Sequence, residues 1–333
     1  MELRAAIVGA GGMGKRHTRS LKTLGVEIDS ICDENEASLT SYFEAFPELK
    51  GVVKAFVDFD EMLATSNANL CIITLPPFAQ KDQFVKAAAA GKHIFIEKPI
   101  ALDIGTAERM VEAAEAAGIV TSVGFHMRQG VVVKKLKALM ASGVAGKPVL
   151  FNARYACNSL HAPWWRQKDR SGGQIFEQVI HLYDLSRQLV GEPKSVHCLM
   201  SNICHKDIEN YTVEDVSTSI SMTDSGAISS ISATNCAVPG KWSESFTAVF
   251  EHVTVECAGV NSAKFTYTDR VPVETEEIHV DDDNHLHGLE EFIRCATQGT
   301  QTGCPISEGL KSLRFVDAAT LSAEQGGSGI YLE

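Results

Sequence analysis

No stretch of the 333-residue chain approaches the ~18 consecutive apolar residues that a membrane-spanning helix needs, so an integral helical membrane protein is excluded. Runs of basic residues are also missing. Lys and Arg number 30 against 42 Asp and Glu, a formal charge of −12, and they are scattered along the chain. Such a surface repels phosphate backbones and anionic lipid headgroups, which argues against nucleic acid and membranes as partners. The nine cysteines are odd in number and never spaced as Cys-x-x-Cys, so neither a zinc motif nor a disulfide framework is suggested and no metal is expected. They read as free thiols of a reducing compartment. A strand and a Gly-rich turn begin almost at the first residue, so no signal peptide is expected and the location read from the sequence is cytoplasmic. Internal repeats and low-complexity segments are lacking too. What remains is an ordinary globular balance, 44% hydrophobic and 22% charged, with enough length for two cores.

The first 124 residues alternate strands and helices. Apolar runs at 3–8, 26–32, 52–57, 70–74, 93–96 and 120–124 are separated by helical stretches at 13–24, 36–46, 61–64, 80–90 and 104–117. This rhythm indicates βαβ units and a parallel sheet covered on both faces. From about residue 125 the texture changes. A helix at 131–140 and a strand at 148–156 lead into an aromatic stretch at 161–170, and a helix follows at about 174–190. β-rich runs then fill 194–280, with Asp224-Ser225-Gly226 as a hairpin turn, before two closing helices at about 285–298 and 307–324. The expectation is an α/β chain of two domains: a doubly wound parallel sheet over 1–124, and an α+β domain with a largely antiparallel sheet over 125–333.

Gly9-Ala10-Gly11-Gly12-Met13-Gly14 matches G-x-G-x-x-G and stands between the first strand and the first helix. The first Gly allows the tight turn, the second lets backbone approach a pyrophosphate, and the third lets helix pack close to strand. The helix amino terminus then offers N–H groups and its dipole to the anion. Asp33 follows 19 residues after Gly14, at the end of the second strand, where a carboxylate accepts from adenosine ribose hydroxyls. Glu34 and Asn35 come next, with no adjacent cation for a 2′-phosphate, which favours NAD over NADP.

Glu97-Lys98-Pro99 follows the fifth strand, where ligands of parallel sheets bind. A lysine held there can hydrogen-bond a substrate hydroxyl and stabilise charge developing on its oxygen. Farther on, Ser171-Gly172-Gly173 opens the helix carrying Glu177, His181 and Asp184, whose spacings of four and three place them on one helical face. A carboxylate and an imidazole so placed can form an acid–base unit.

These elements carry a resemblance. The Gly9–Gly14 turn, Thr74-Leu75-Pro76-Pro77, Gly91-Lys92-His93, Glu97-Lys98-Pro99 and Gly172-Gly173 with Glu177-x-x-x-His181-x-x-Asp184 occur in the order seen in the Gfo/Idh/MocA oxidoreductases. The chain resembles that family, which includes glucose–fructose oxidoreductase and inositol dehydrogenase, over nearly its whole length. The resemblance implies a Rossmann domain followed by a domain on an open, mostly antiparallel sheet that forms a homodimer or homotetramer interface. It also implies oxidation of a sugar or polyol hydroxyl with NAD(P), or the reverse reduction. By the same resemblance Lys98 stands beside the reacting hydroxyl, His181 accepts the proton and Glu177 assists. Thr74 and Pro76 lie along the cofactor, and Glu97 and Pro99 line its nicotinamide side. Two departures stand out: Glu177 replaces the Asp of inositol dehydrogenase-like members, and Gln80 replaces a common His after the proline loop.

Trp164-Trp165-Arg166 is a candidate substrate wall, because indole faces stack on sugar rings and a guanidinium binds hydroxyls or anions. Arg128 and His126 follow the last strand of the first domain as further candidates. His285-Leu286-His287 has metal-like spacing but lacks a nearby third ligand, and reads as a helix start. The function read here is an NAD-dependent dehydrogenase of a sugar, sugar derivative or cyclic polyol. Two rivals are a redox-neutral elimination or glycoside cleavage on the same scaffold, and a non-catalytic NAD-binding regulatory subunit.

Overall fold

The computed structural model describes residues 3–332 and divides into two compact units. The first holds the described residues up to Phe125 together with His285–Leu310, and the second holds His126–Asn284 with the described residues from Lys311 on.

In the first unit the chain runs β1 (Arg4–Val8), α1 (Gly12–Thr23), β2 (Glu27–Cys32), α2 (Glu36–Ala45), β3 (Lys54–Phe56), α3 (Phe59–Thr65) and β4 (Leu70–Ile73). It continues through α4 (Gln83–Ala89), β5 (His93–Ile96), α5 (Ile104–Ala117) and β6 (Thr121–Val123). Helices α2, α3 and α5 start where a side chain takes one of the first unpaired N–H groups. Asn35 accepts from Ala37, Asp58 from Glu61 and Asp103 from Thr106, and Gly118 closes α5 in the left-handed conformation. Helix α4 begins at Gln83 rather than at the expected residue 80, because Pro77–Ala79 form a 3₁₀ turn and the Gln80 amide donates to the Pro99 carbonyl at 3.3 Å.

The six strands are parallel in the order β3-β2-β1-β4-β5-β6. That is the doubly wound arrangement with its switch point between β1 and β4. Register aligns the strand ends: Val8 lies opposite both Cys32 and Ile73, and Ile73 opposite Ile96. Gly9, Asp33, Thr74 and Glu97 therefore emerge at one edge of the sheet. The expected second domain over 125–333 needs one correction, since 285–310 returns to the first unit. Its helix is amphipathic, and Leu289, Phe292, Cys295 and Ala296 complete the core around Ile7, Ile72 and Phe95. Phe292 meets Phe95 edge-on at 5.9 Å between ring centres.

The second unit opens with α6 (Val131–Ala141), β7 (Pro148–Ala156), α7 (Lys168–Ser171) and α8 (Ile180–Val190), the last preceded by a π turn over Ile175–Val179. Strands β8 (Pro193–Ser201), β9 (Val216–Thr223), β10 (Ile228–Thr234), β11 (Ser243–Phe250), β12 (Val253–Cys257), β13 (Ser262–Tyr267) and β14 (Glu274–His279) follow. After α9 (Asn284–Gln298), the helix that returns to the first unit, α10 (Ile306–Glu324) leads to β15 (Ile330–Tyr331). The nine strands form one sheet in the order β14-β13-β12-β11-β7-β10-β9-β8-β15, antiparallel except for β7 beside β10. From Ser217 to Thr223 of β9 the residues alternate between buried and exposed. Its buried face is lined by Ser217, Ser219 and Ser221, small enough for α8 to lie close: Tyr183 donates to Ser219 at 2.8 Å, and Ser186 meets Ser229 of β10 at 2.6 Å. The opposite face exposes Leu199, Ile220, Met222 and Ile228.

Candidate active site

The Gly-rich turn joins β1 to α1 in a backbone form that depends on glycine at both ends. Gly9 has φ +102°, and a Cβ there would meet Thr74 Oγ1 at 2.7 Å. A Cβ on Gly14 would stand 2.0 Å from the Gly9 carbonyl oxygen, so helix and strand approach as closely as hydrogen permits. Thr74 ties the arrangement, its hydroxyl donating to the carbonyls of Val8 and Gly9 at 3.1 and 2.9 Å. At Gly11 and Gly12 a Cβ would meet no atom within 4 Å, and both are exposed at the start of α1. No side chain caps that helix, so its first N–H groups face outward beside an open glycine surface. This cradle fits a pyrophosphate.

Asp33 secures the turn from the next strand. One oxygen accepts from Ala10 N–H at 2.8 Å and the other from Asn35 N–H at 2.9 Å. An ionised carboxylate has about four acceptor sites, so capacity remains for ribose hydroxyls. Lys81 Nζ lies 3.5 Å from Glu34, placing its charge on that carboxylate.

Beyond β5, Glu97 is buried and bonded at 2.7 Å to the buried His17 of α1. Burial opposes its charge, but the His17 hydrogen bond and the electrostatic influence of His17, Lys98 and His285 outweigh burial and hold the carboxyl below its ordinary 4.5. Glu97, expected along the nicotinamide, is thus enclosed in its own unit: its carboxylate lies against Gly124, where a Cβ would come within 2.7 Å. It anchors the backbone on which Lys98 and Pro99 follow. Through its hydrogen bond to Pro99, Gln80 ties the proline loop after β4 to the same turn.

In the second unit the local folding differs from the expected uninterrupted helix. Gly172 and Gly173 take φ +80° and +103°, and a Cβ on Gly173 would meet Glu214 Oε2 at 2.6 Å. Glu214 is buried and accepts the Ile175 N–H at 2.8 Å, and burial raises its pKa. The π turn then carries Glu177, whose Oε2 accepts from Trp165 Nε1 at 2.9 Å. His181 on α8 meets the His126 ring edge-on at 4.4 Å.

Asp184 sits at the centre of a buried network. Arg128 grips it through two bonds of 2.7 and 2.6 Å, and Ser312 donates to Oδ1 at 2.7 Å while accepting from Arg187 at 2.6 Å. Arg187 in turn holds Glu192 bidentately at 2.7 Å. The structure therefore gives Glu177, His181 and Asp184 three different neighbours.

The expected substrate wall divides as well. Trp165 is buried with Tyr211 and Val213, while Trp164 is half-buried at the rim of that small core. Arg166 donates to the carbonyls of Leu160 and His161 at 2.9 and 3.1 Å, bracing its own loop. Arg128, expected beside substrate, directs its guanidinium to Asp184. His285 and His287 open α9, with His287 Nδ1 3.3 Å from Glu290.

Sequence reasoning missed His17, Glu214 and His161. His161 has φ 53°, and its ring contacts Trp165 at 4.2 Å and Gln178 at 2.8 Å. A positive φ at a non-glycine leaves no trace in sequence spacing. His17, by contrast, falls three residues after Gly14, one helical turn along α1, and that periodicity was available.

Two family models match the chain: the oxidoreductase family with NAD-binding Rossmann fold over residues 3–125, and the GFO/IDH/MocA C-terminal domain over 133–256. Among characterised relatives, the myo-inositol 2-dehydrogenase of Thermotoga maritima is 29% identical over 191 residues, 57% of this chain and 55% of that one. The chain thus spans just over half the length of that relative. The scyllo-inositol 2-dehydrogenase (NAD(+)) of Bacillus subtilis is 26% identical over 308 residues, 90% of this chain and 87% of that one. A levoglucosan dehydrogenase solved with NADH and levoglucosan superposes with a TM-score of 0.89 over 99% of both chains at 18% identity, a likeness of fold alone. The WlbA dehydrogenase of Bordetella pertussis, solved with NADH and UDP-GlcNAcA, gives 0.85 at 25% identity over 100% of this chain and 99% of that one. Among the described residues no helix is long and apolar enough to cross a membrane.

Proposed function

Because this chain belongs to the GFO/IDH/MocA oxidoreductase family, we propose that it is an NAD-dependent dehydrogenase oxidising a secondary hydroxyl of a sugar, sugar derivative or cyclic polyol, or running the reverse reduction. The Gly9–Gly14 turn carries the cofactor half of this reading: it is closed by packing at Gly9 and Gly14 and open at Gly11 and Gly12. Asp33 beside it, followed by Glu34 and Asn35, favours NAD over NADP. Polyol and sugar dehydrogenases among the relatives support the substrate class.

When bound, NAD supplies the hydride acceptor. Gly11, Gly12 and Met13 at the start of α1 hold its pyrophosphate, Asp33 its ribose, and Thr74 and Pro76 flank it. Lys98 donates a hydrogen bond to the reacting hydroxyl and stabilises the oxygen as its proton leaves. His181 takes that proton, and Glu177, oriented by the Trp165 indole, assists it. Trp164, Arg166 and Arg128 shape the surroundings of the substrate, Arg128 through Asp184. The apolar face of Leu199, Ile220 and Met222 is the surface on which copies of the chain associate.

The test is a screen of purified protein with NAD and NADP against inositols, aldoses and sugar acids, following reduced nicotinamide by absorbance. Turnover of at least one class with NAD is expected, and Lys98→Met lowers kcat by about 10²-fold or more while NAD still binds. Bond cleavage in a glycoside without net reduced nicotinamide replaces this reading with the redox-neutral one. NAD binding without turnover of any substrate replaces it with a regulatory role.

A further inference from the structure

The loop after β8 and the ends of β9 and β10 bring together four residues that the proposed reaction does not use. Cys204, Asp215 and Cys236 each direct a ligand atom to one place, and the three atoms lie within 4.8 Å of one another. Asp215 immediately precedes β9 and is fully buried, Cys236 lies just past β10, and Cys204 follows β8 on an exposed loop. We propose that these three residues form a binding site for a thiophilic divalent cation of the zinc class, and that His205, whose Nδ1 lies beside Asp215 but outside the converging trio, moves in as the fourth ligand.

The framework is rigid before any ion arrives. Asp215 Oδ1 accepts from Ile203 N–H at 2.9 Å, and Oδ2 accepts from Ile203, Cys204 and His205 N–H at 3.0, 2.6 and 3.2 Å. The carboxylate thereby clamps the loop that carries Cys204 and His205. Thr234 Oγ1 donates to the Asp215 carbonyl and accepts from Cys236 N–H, both at 3.0 Å, which ties the third ligand to the same point. With one N–H on Oδ1, that oxygen keeps a lone pair for an ion. His205 Nδ1 is buried, makes no hydrogen bond and lies 3.4 Å from Asp215 Oδ2. The Tyr211 ring packs at 4.6 Å against the imidazole and fixes its plane.

Two sulfurs, a carboxylate oxygen and an imidazole nitrogen are the donor set of a tetrahedral zinc site. Zinc–ligand lengths of about 2.0–2.3 Å require the three converging donors to draw in by about 1 Å, which rotation of the Cys204 and Cys236 side chains about χ1 can supply while the clamped backbone stays in place. On binding, the Cys204 and Cys236 thiols each lose a proton to solvent, and two S–metal bonds form without change of oxidation state. The two thiolates and the carboxylate carry −3 against the ion's +2. The site would staple the 202–214 loop to the ends of three strands, and it does not rest on the dehydrogenase reading.

Reduced, metal-free protein titrated with Co²⁺ tests it. The expected result is one Co²⁺ per chain with a thiolate-to-cobalt charge-transfer band, displaced by Zn²⁺. Cys204→Ser and Cys236→Ser each abolish the band and weaken affinity by about 100-fold or more, and His205→Ala weakens it less. Circular dichroism of the metal-free variants confirms the fold, and Cys204 is exposed, so its serine variant retains the native packing. Absence of stoichiometric binding overturns the proposal, as does a band that survives in the Cys204→Ser protein. Recovery of Cys204 and Cys236 as a disulfide from reducing buffer overturns it too, and makes the pair a redox couple instead.

Discussion

In the six-stranded unit the candidate cofactor residues follow directly on the strands that carry them, whereas in the nine-stranded unit the framework is tied by side chains far apart in the chain. Gly9, Asp33, Thr74 and Lys98 stand within two residues of the ends of β1, β2, β4 and β5, and parallel register alone brings the strand ends together. Asp184, in contrast, is held by Arg128 and Ser312, 56 and 128 positions away. The Gly9–Gly14 turn builds with backbone and glycine, the Asp184 network with buried charge. Damage to the first is local and graded; damage to the second strands a charge in the interior.

The sharpest way to break this contrast is Arg128→Met. It leaves Asp184 buried without its bidentate partner, and a loss of about 3–5 kcal/mol in urea unfolding is expected. A double variant that also replaces Asp184 with Leu recovers part of it. A loss under about 1 kcal/mol, the scale of an exposed pair, would show that the network is not the second unit's framework.

Within the first unit, Gly14→Ala and Gly12→Ala separate packing from ligand space. The added methyl at Gly14 meets the Gly9 carbonyl and is expected to cost about 1–3 kcal/mol of stability. At Gly12 it meets only open space, so stability stays within about 0.5 kcal/mol while NAD affinity, read by calorimetry, falls about tenfold. Equal stability losses at both positions would erase the distinction.

The smallest effect concerns two carboxylates with opposite shifts. Glu97, held below 4.5 despite its burial, adds stability that is present above about pH 4.5 and lost as pH falls through its lower folded value. Burial pushes Glu244 on β11 up to about 7, so the folded chain holds that proton more tightly and stability declines as pH rises from about 4.5 to about 7. Thermal melts across pH should show Glu97→Gln flattening the acid limb and Glu244→Gln flattening the neutral one. A shared direction would contradict the assigned partners.

Legibility followed the same division. The Gly9–Gly14 turn, Asp33 and Glu97-Lys98-Pro99 were readable as candidates because each follows directly on the end of a strand. Glu177, His181 and Asp184 were readable as candidates, but not as neighbours of Trp165, His126 and Arg128. The π turn before α8 and the left-handed His161 follow from packing, which has no period in the sequence. The cysteine count was equally uninformative: Cys204 and Cys236 are 32 positions apart, and only adjacent strand ends bring them to Asp215.

Local chemistry therefore decided the alternation of elements, the glycine turn and the acidic and basic residues at strand ends, since these depend on short-range sterics and on hydrogen bonds along one segment. Tertiary structure alone decided which charges pair, where segment 285–310 packs and which thiols share a carboxylate. Those outcomes depend on burial, and burial is set by the whole chain rather than by neighbours in sequence.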